Sequence, residues 1–164
     1  MLQNLKVVEL ASVLAGPSVG MFFAELGAKV VKVENKTTNG DITRQWKLPN
    51  EPKEQPISAY YCSVNWGKEV VLLDLTQAND LTQVYELVKT ADIVISNFKT
   101  GGAKKLKLDY ATLKELNPTL IYGELTAFGP TNKRTAYDVV LQAESGFMYM
   151  NGTQEGEIVK MPIA

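Results

Sequence analysis

An α/β fold with a largely parallel, doubly wound sheet is what this sequence predicts, on three observations. Short β-rich apolar runs recur along the chain: "LKVVEL" (5–10), "AKVVKVE" (28–34), "KEVVLLDL" (68–75), "DIVISNF" (92–98) and "TLIYGELTAFGP" (119–130). Helix-like stretches separate most of them, as β-α-β crossovers require. The first such unit closes in about 30 residues, the length a crossover needs.

Each element has a local reason. "LKVVEL" suits a buried parallel strand. After the turn "LAG", Pro17 suits the first helical position, where its missing N–H costs nothing, and Ser18 to Leu26 reads as a helix. Gly27 is placed to stop that helix in the left-handed conformation. From Asn35 to Pro56 the pattern dissolves into polar, Gly- and Pro-bearing sequence, and a loop this long is usually functional or disordered. "AYYCSVN" (59–65) reads as a further strand ahead of the turn "NWG". In 80–91, Leu81, Val84, Leu87 and Val88 share one helical face. "GGAKKLKLDYATLKELNP" (101–118) holds one or two short helices closed by Pro118, and "YDVVLQAESGFMYMNG" reads as helical to about Gly146.

Composition narrows the chemistry. Hydrophobic residues make up 45% and charged residues 21% of the 164, and the net charge is −1. That is globular composition with no bulk electrostatic case for nucleic acid or an acidic membrane surface. No apolar run approaches the roughly 20 residues that span a bilayer. One cysteine, Cys62, excludes an internal disulfide framework and suggests a reducing, cytoplasmic compartment. Histidine is absent, which removes Ser-His-Asp and Cys-His catalysis and His-based zinc sites. No metal is expected. In a parallel sheet, ligands gather at the carboxyl ends of the strands. Those ends read "ASVLAGPS", "ENKTTNGD", "SNFKTGGA" and "TAFGP", with glycine in all four and lysine in two, while the dinucleotide fingerprint Gly-x-Gly-x-x-Gly is missing.

Six segments in register then carry a family likeness. "LKVVELASVLAGPSVGMFFAELGAKVVKVE" with the following "GDITR", "SVNWGK…LLDL", "ADIVISNF", "LKELNPTLIYGELTAFG" and "AYDVVLQAESG" occur in order. From Leu5 to Ala164 the chain resembles the N-terminal part of the class III CoA-transferases, the CaiB/BaiF family. The resemblance implies a Rossmann-like large domain over 1–164, with a small domain and a return segment lying outside it, and an interlocked homodimer in complete members. It implies coenzyme A or acyl-CoA as substrate, together with carboxylic acids, CoA passing between acids through an acyl-aspartyl anhydride. Some relatives racemise 2-methylacyl-CoA esters.

The resemblance also implies site residues. Lys36 matches a basic position near the CoA phosphates, and Lys68 the lysine of a turn beside the adenine. Asn97 and Phe98 match a dipeptide bordering the nucleotide, and Lys105 a phosphate-pairing arginine. Val13, Leu14 and Ala15 match the turn that shapes the acyl pocket. Tyr137 and Asp138 precede the catalytic region, and a tyrosine at 137 replaces a racemase histidine. Trp66 and Glu69 stand where the family is usually basic, and Lys107 where it has glycine. No catalytic residue is assigned within the chain. The nucleophilic aspartate is expected just beyond "VKMPIA", after Ala164, so the chain alone is expected to bind without turning over. A non-catalytic binding module or half of a split enzyme is the alternative, and a nicotinamide-dependent oxidoreductase is disfavoured. From the residues themselves, Asp138 reads as a helix cap, Asp41 and Arg44 as a loop-fixing ion pair, Cys62 as a small buried hydrophobe, and Trp46 as a loop anchor or a ligand cover.

Overall fold

Five parallel strands form one sheet in the computed structural model, which describes residues 1–135 and 137–161. They are β1 (Lys6–Leu10), β2 (Lys29–Asn35), β3 (Glu69–Leu73), β4 (Ile93–Ser96) and β5 (Ile121–Glu124), in spatial order β3-β2-β1-β4-β5. The chain winds outward from β1 to β3, then returns to the other side of β1 to lay down β4 and β5. The winding therefore reverses between β1 and β4. All strands share one direction, so every carboxyl end lies on one edge of the sheet.

Alternation along the strands sorts side chains to two faces. Val8, Leu10, Val33, Leu73 and Val94 pack with Val84 and Val88 of α3 (Ala78–Lys89) and Leu113 of α5 (Tyr110–Leu116). Leu108, between α5 and the short α4 (Gly102–Lys105), joins the same cluster. Val7, Ala11, Val30 and Ile95 point the other way, against Val19, Phe23 and Ala24 of α1 (Ala15–Glu25). Next to α1 lies α2 (Ala59–Asn65).

Two local expectations are corrected and a third holds. Residues 59–65 form helix α2, not a strand: Ser58 Oγ accepts the Tyr61 N–H at 2.9 Å, and the buried Tyr61, Val64 and Asn65 fall at helical spacing. Pro17 sits third in α1, not first, because the helix already starts at Ala15; its missing N–H is still one of the first-turn orphans. Gly27 behaves as read. At φ +95° it closes a Schellman cap, with its N–H on the Ala24 carbonyl and the Ala28 N–H on that of Phe23. The long segment after β2 is ordered by two 3₁₀ turns, Lys36–Thr38 and Ile42–Gln45.

The chain divides into two compact units, Met1–Leu125 and Thr126–Ala164. The second contains α6 (Asp138–Glu144) and α7 (Phe147–Met150), joined through Gly146. Tyr137, exposed, is the residue preceding α6, and Asp138 is its first residue rather than its cap. The Asp138 carboxylate accepts from Gln142 Nε2 at 2.9 Å and lies 3.1 Å from Lys160 Nζ. The last three residues of "VKMPIA" lie outside the described residues. Among the described residues, no helix is long and apolar enough to cross a membrane.

Candidate functional site

The carboxyl ends of β1, β2 and β4 surround a cleft of about 400 Å³ in the first unit. It opens at the reversal between β1 and β4, where diverging connections leave a crevice above an open sheet. Leu10, Ala11 and Ser12 form one side and Asn97, Phe98 and Lys99 another, with Asn35, Thr38, Asp41 and Leu75 completing the wall.

Of the residues expected to bind ligand, Asn97 and Phe98 line this cleft, and exposed Lys36 sits between its wall residues Asn35 and Thr38. Lys36 and Asn97 thus share the carboxyl edge of the sheet. Asn97 is already engaged: its Oδ1 accepts the Ser12 N–H at 3.0 Å, and its Nδ2 donates to the Ser12 carbonyl at 2.8 Å. It therefore ties the turn after β1 to the end of β4. Exposed Lys105 belongs to a neighbouring depression of about 350 Å³ with Leu75, Thr76, Leu81 and Lys107. Val13, Leu14 and Ala15 form the turn into α1. Lys99 on the cleft wall went unassigned; its signal was a lysine directly after a strand-end Asn-Phe pair.

Lys68 turns inward. Its side chain is fully buried, with Nζ 2.7 Å from Glu9 Oε2, donating to the Pro17 carbonyl at 2.7 Å and to Asn65 Oδ1 at 3.1 Å. Burial is the largest influence on this ammonium and lowers its pKa despite the Glu9 carboxylate. Glu9 Oε2 has no well-aligned hydrogen bond, so its link to Lys68 is mainly Coulombic.

Lys68 is one corner of a buried network that sequence reading missed. Glu9 of β1 stands directly across from Lys32 of β2, and Lys32 Nζ donates to Glu9 Oε1 and to the Ala11 carbonyl, both at 2.9 Å. Asp41 Oδ2 lies 3.1 Å from the same ammonium. Beside it, Arg44 Nε donates to Glu34 Oε2 at 2.6 Å, and Tyr61 OH to Glu34 Oε1 at 2.6 Å. Asp41 and Arg44 therefore do not form an ion pair with each other, though the Arg44 N–H donates to the Asp41 carbonyl at 3.0 Å; Lys32 and Glu34 are their charged partners. Burial and the Glu34 carboxylate push the Tyr61 phenol well above its ordinary range. Buried charges of this kind persist only when paired and hydrogen-bonded.

Two glycines make room for the network. A Cβ at Gly20 of α1 would lie 1.8 Å from Glu9 Oε2, and one at Gly16 would lie 2.3 Å from Ala11 Cβ. These two helical glycines thus permit close packing of α1 on the sheet beside the buried Glu9.

Val13 adopts φ +71°, a left-handed conformation that costs an L-residue about 1–2 kcal/mol and suits a β-branched side chain least. Its N–H donates to Asp41 Oδ2 at 3.1 Å. Asp41 Oδ1 meanwhile accepts the N–H and hydroxyl of Thr43 at 3.0 and 2.8 Å. Burial raises the Asp41 pKa, but the Thr43 N–H, the Lys32 charge and the Thr43 hydroxyl outweigh it and hold the carboxyl below its ordinary value. Elsewhere, Cys62 is exposed, and Trp46 packs edge-on against Tyr60 with centroids 5.3 Å apart.

This geometry is that of an α/β protein with a cleft at the switch point of a doubly wound parallel sheet. The chain belongs to CoA-transferase family III, the CaiB/BaiF family, whose model matches residues 2–164. It is 43% identical to a succinate–glutarate CoA-transferase of Agrobacterium fabrum, over 99% of this chain and 42% of that protein. It is 34% identical to the human succinyl-CoA:glutarate CoA-transferase, over 99% of this chain and 37% of that one. A crystal structure of a CaiB/BaiF family protein from Brucella suis superposes with a TM-score of 0.91 at 41% identity, covering 98% of this chain and 43% of that one. The chain therefore spans about two fifths of the length of these relatives.

Proposed function

We propose that residues 1–164 form the CoA-binding large domain of an enzyme that transfers CoA between carboxylic acids. The observation that carries this reading is the cleft at the β1/β4 reversal, in a chain matched to family III over residues 2–164. Lys36 and Lys99 stand beside or on its wall, and Lys105 lies at the adjoining depression. These are placements suited to the phosphates of CoA. Phe98 offers an aromatic surface to the adenine. The relatives named for succinate and glutarate favour small dicarboxylic acids as the exchanging pair.

In this reading a carboxylate outside residues 1–164 attacks the thioester carbonyl carbon. The C–S bond breaks, leaving a mixed anhydride on the enzyme and a CoA thiolate. The thiolate then returns to the enzyme's carboxyl and releases the donor acid. The acceptor acid runs the same steps in reverse. Residues 1–164 contribute by binding and orienting CoA. Asp138 is a poor substitute nucleophile, because Gln142 and Lys160 engage its carboxylate.

Calorimetric titration of the 164-residue chain with CoA, with NADH as control, tests the proposal. Saturable CoA binding that weakens at least tenfold in the Lys36→Ala/Lys105→Ala double variant is expected. A folded chain that takes up NADH as well as CoA, or takes up neither, would sink it.

A further inference from the structure

We propose that Asp41 is a positioning residue, whose carboxylate holds the turn after β1 in the left-handed conformation that shapes the CoA cleft. The inference rests on the function proposed above for its ligand, but not for its geometry. Three observations carry it. First, Val13 is one of only three non-glycine residues at positive φ among the described residues, and the only β-branched one. A strained backbone persists where surrounding groups over-determine it, and such positions cluster at binding sites. Second, the groups that over-determine it can be named. Asn97 brackets Ser12 from both sides through its amide, and Asp41 Oδ2 takes the very next N–H, that of Val13. Third, Asp41 is itself immobilised on every side. Lys32 Nζ and the Val13 N–H share its Oδ2, Thr43 occupies its Oδ1, and its own N–H donates to Glu34 Oε2 at 2.9 Å.

The arrangement differs from an ordinary loop anchor in where it lies. Ser12 and Asp41 both line the cleft, and the strained residue follows Ser12 directly. Behind Asp41 the ammonium of Lys32 is fixed by Glu9 and by the Ala11 carbonyl, so the turn is referenced to the central strand pair of the sheet. Rigid support of this kind keeps a site's backbone within the small tolerance that binding requires. An NH₂ in place of one Asp41 oxygen sets a donor against the Val13 N–H and the Lys32 ammonium or, with the amide turned over, against the Thr43 N–H, and either way removes the charge that faces Lys32. The turn would then be free to leave the left-handed region.

The test uses isotopically labelled 164-residue chain and three variants: Asp41→Asn, Val13→Gly, and the two combined. In the unaltered chain, the Val13 amide should exchange with solvent at least tenfold more slowly than an unbonded turn amide, with a three-bond coupling typical of positive φ. Fast exchange there overturns the proposal without any substitution. In Asp41→Asn, Val13 protection should fall at least tenfold and CoA affinity should fall with it. Glycine adopts positive φ without the steric penalty, so Val13→Gly should restore CoA affinity in the Asp41→Asn background, an outcome that generalised loss of stability would not produce. An Asp41→Asn chain that keeps Val13 protected, or that loses protection with CoA affinity unchanged, overturns the positioning role. Should the unaltered chain bind no CoA, the proposed function fails by itself, and the Val13 exchange data still decide whether Asp41 holds the turn.

Discussion

The two faces of the sheet solve the same burial problem in opposite ways. Against α3 and α5 the face is apolar, with Val84, Val88, Val94 and Leu113 inaccessible to solvent. Against α1 and α2 the strands bury Glu9, Lys32 and Glu34 beside the apolar Val7, Val30 and Ile95, and the neighbouring segments add Asp41 and Lys68. An apolar core would stabilise this second face at least as well, since a buried ion pair rarely exceeds a hydrophobic substitute in net stability. What the charged face adds is direction. Carboxylates and ammoniums accept partners only in set geometries, and here they fix the turn and the loop that wall the cleft. One face holds the sheet together; the other aims its edge.

That contrast can be broken at each face in turn. Lys32→Met should have the largest effect, because it leaves Glu9 and Asp41 buried without their shared counter-ion. A loss of about 3–5 kcal/mol is expected, read as a lower urea midpoint at unchanged slope. It should also weaken CoA binding in whatever fraction stays folded. Leu113→Ala, on the apolar face, should cost about 2–5 kcal/mol through a cavity, yet leave CoA affinity in the folded fraction unchanged. Equal damage to affinity from both variants would erase the distinction between the faces.

Acid sharpens the comparison. The Asp41 carboxyl is held below its ordinary value of 3.8 when folded, whereas the unfolded chain regains that value. The folded state therefore binds fewer protons in this interval. The stability Asp41 contributes is present above about pH 4 and is lost as pH falls through its folded value. Urea midpoints measured from pH 6 down to pH 3 should drop more steeply for the unaltered chain than for Asp41→Asn. Parallel curves would show that Asp41 does not report the network.

The smallest effect concerns two helix ends. Gly27 and Lys107 occupy the same place in the same cap: the Lys107 N–H donates to the Lys104 carbonyl and the Leu108 N–H to that of Ala103, with Lys107 at φ +57°. The lysine meets the steric penalty that glycine avoids. Lys107→Gly should raise stability by about 1 kcal/mol or less, seen as a small rise in melting temperature.

Much of this architecture was legible in the sequence, and the reasons are particular. The strands announced themselves as runs of β-branched residues, α3 by the spacing of Leu81, Val84, Leu87 and Val88, and the end of α1 by Gly27. The strain at Lys107 was legible too, because the family resemblance marked the position as glycine. The helix at 59–65 was misread because Tyr-Tyr-Cys-Ser-Val has high strand propensity; the cap from Ser58 and the packing of Tyr61 override it. Of the site, Lys36, Asn97 and Phe98 are named by the family resemblance, and the structure sets them at the carboxyl edge of the sheet, where the strand ends point as well. Asp41 and Arg44 were paired with each other because they are neighbours in sequence. Their partners, Lys32 and Glu34, lie on a strand that reads as plain core.

By itself the sequence determined the five strands, most of the helices between them, the parallel class of the sheet and its family, because periodicity, turn chemistry and motif spacing are local. Only the tertiary structure decided which charges are buried. Glu9, Lys32 and Lys68 look like ordinary surface residues until the register sets Glu9 opposite Lys32 and Gly20 lets α1 close over them. Ion pairs between distant positions depend on which backbones meet and on how little water remains between them, and neither is written in any one segment.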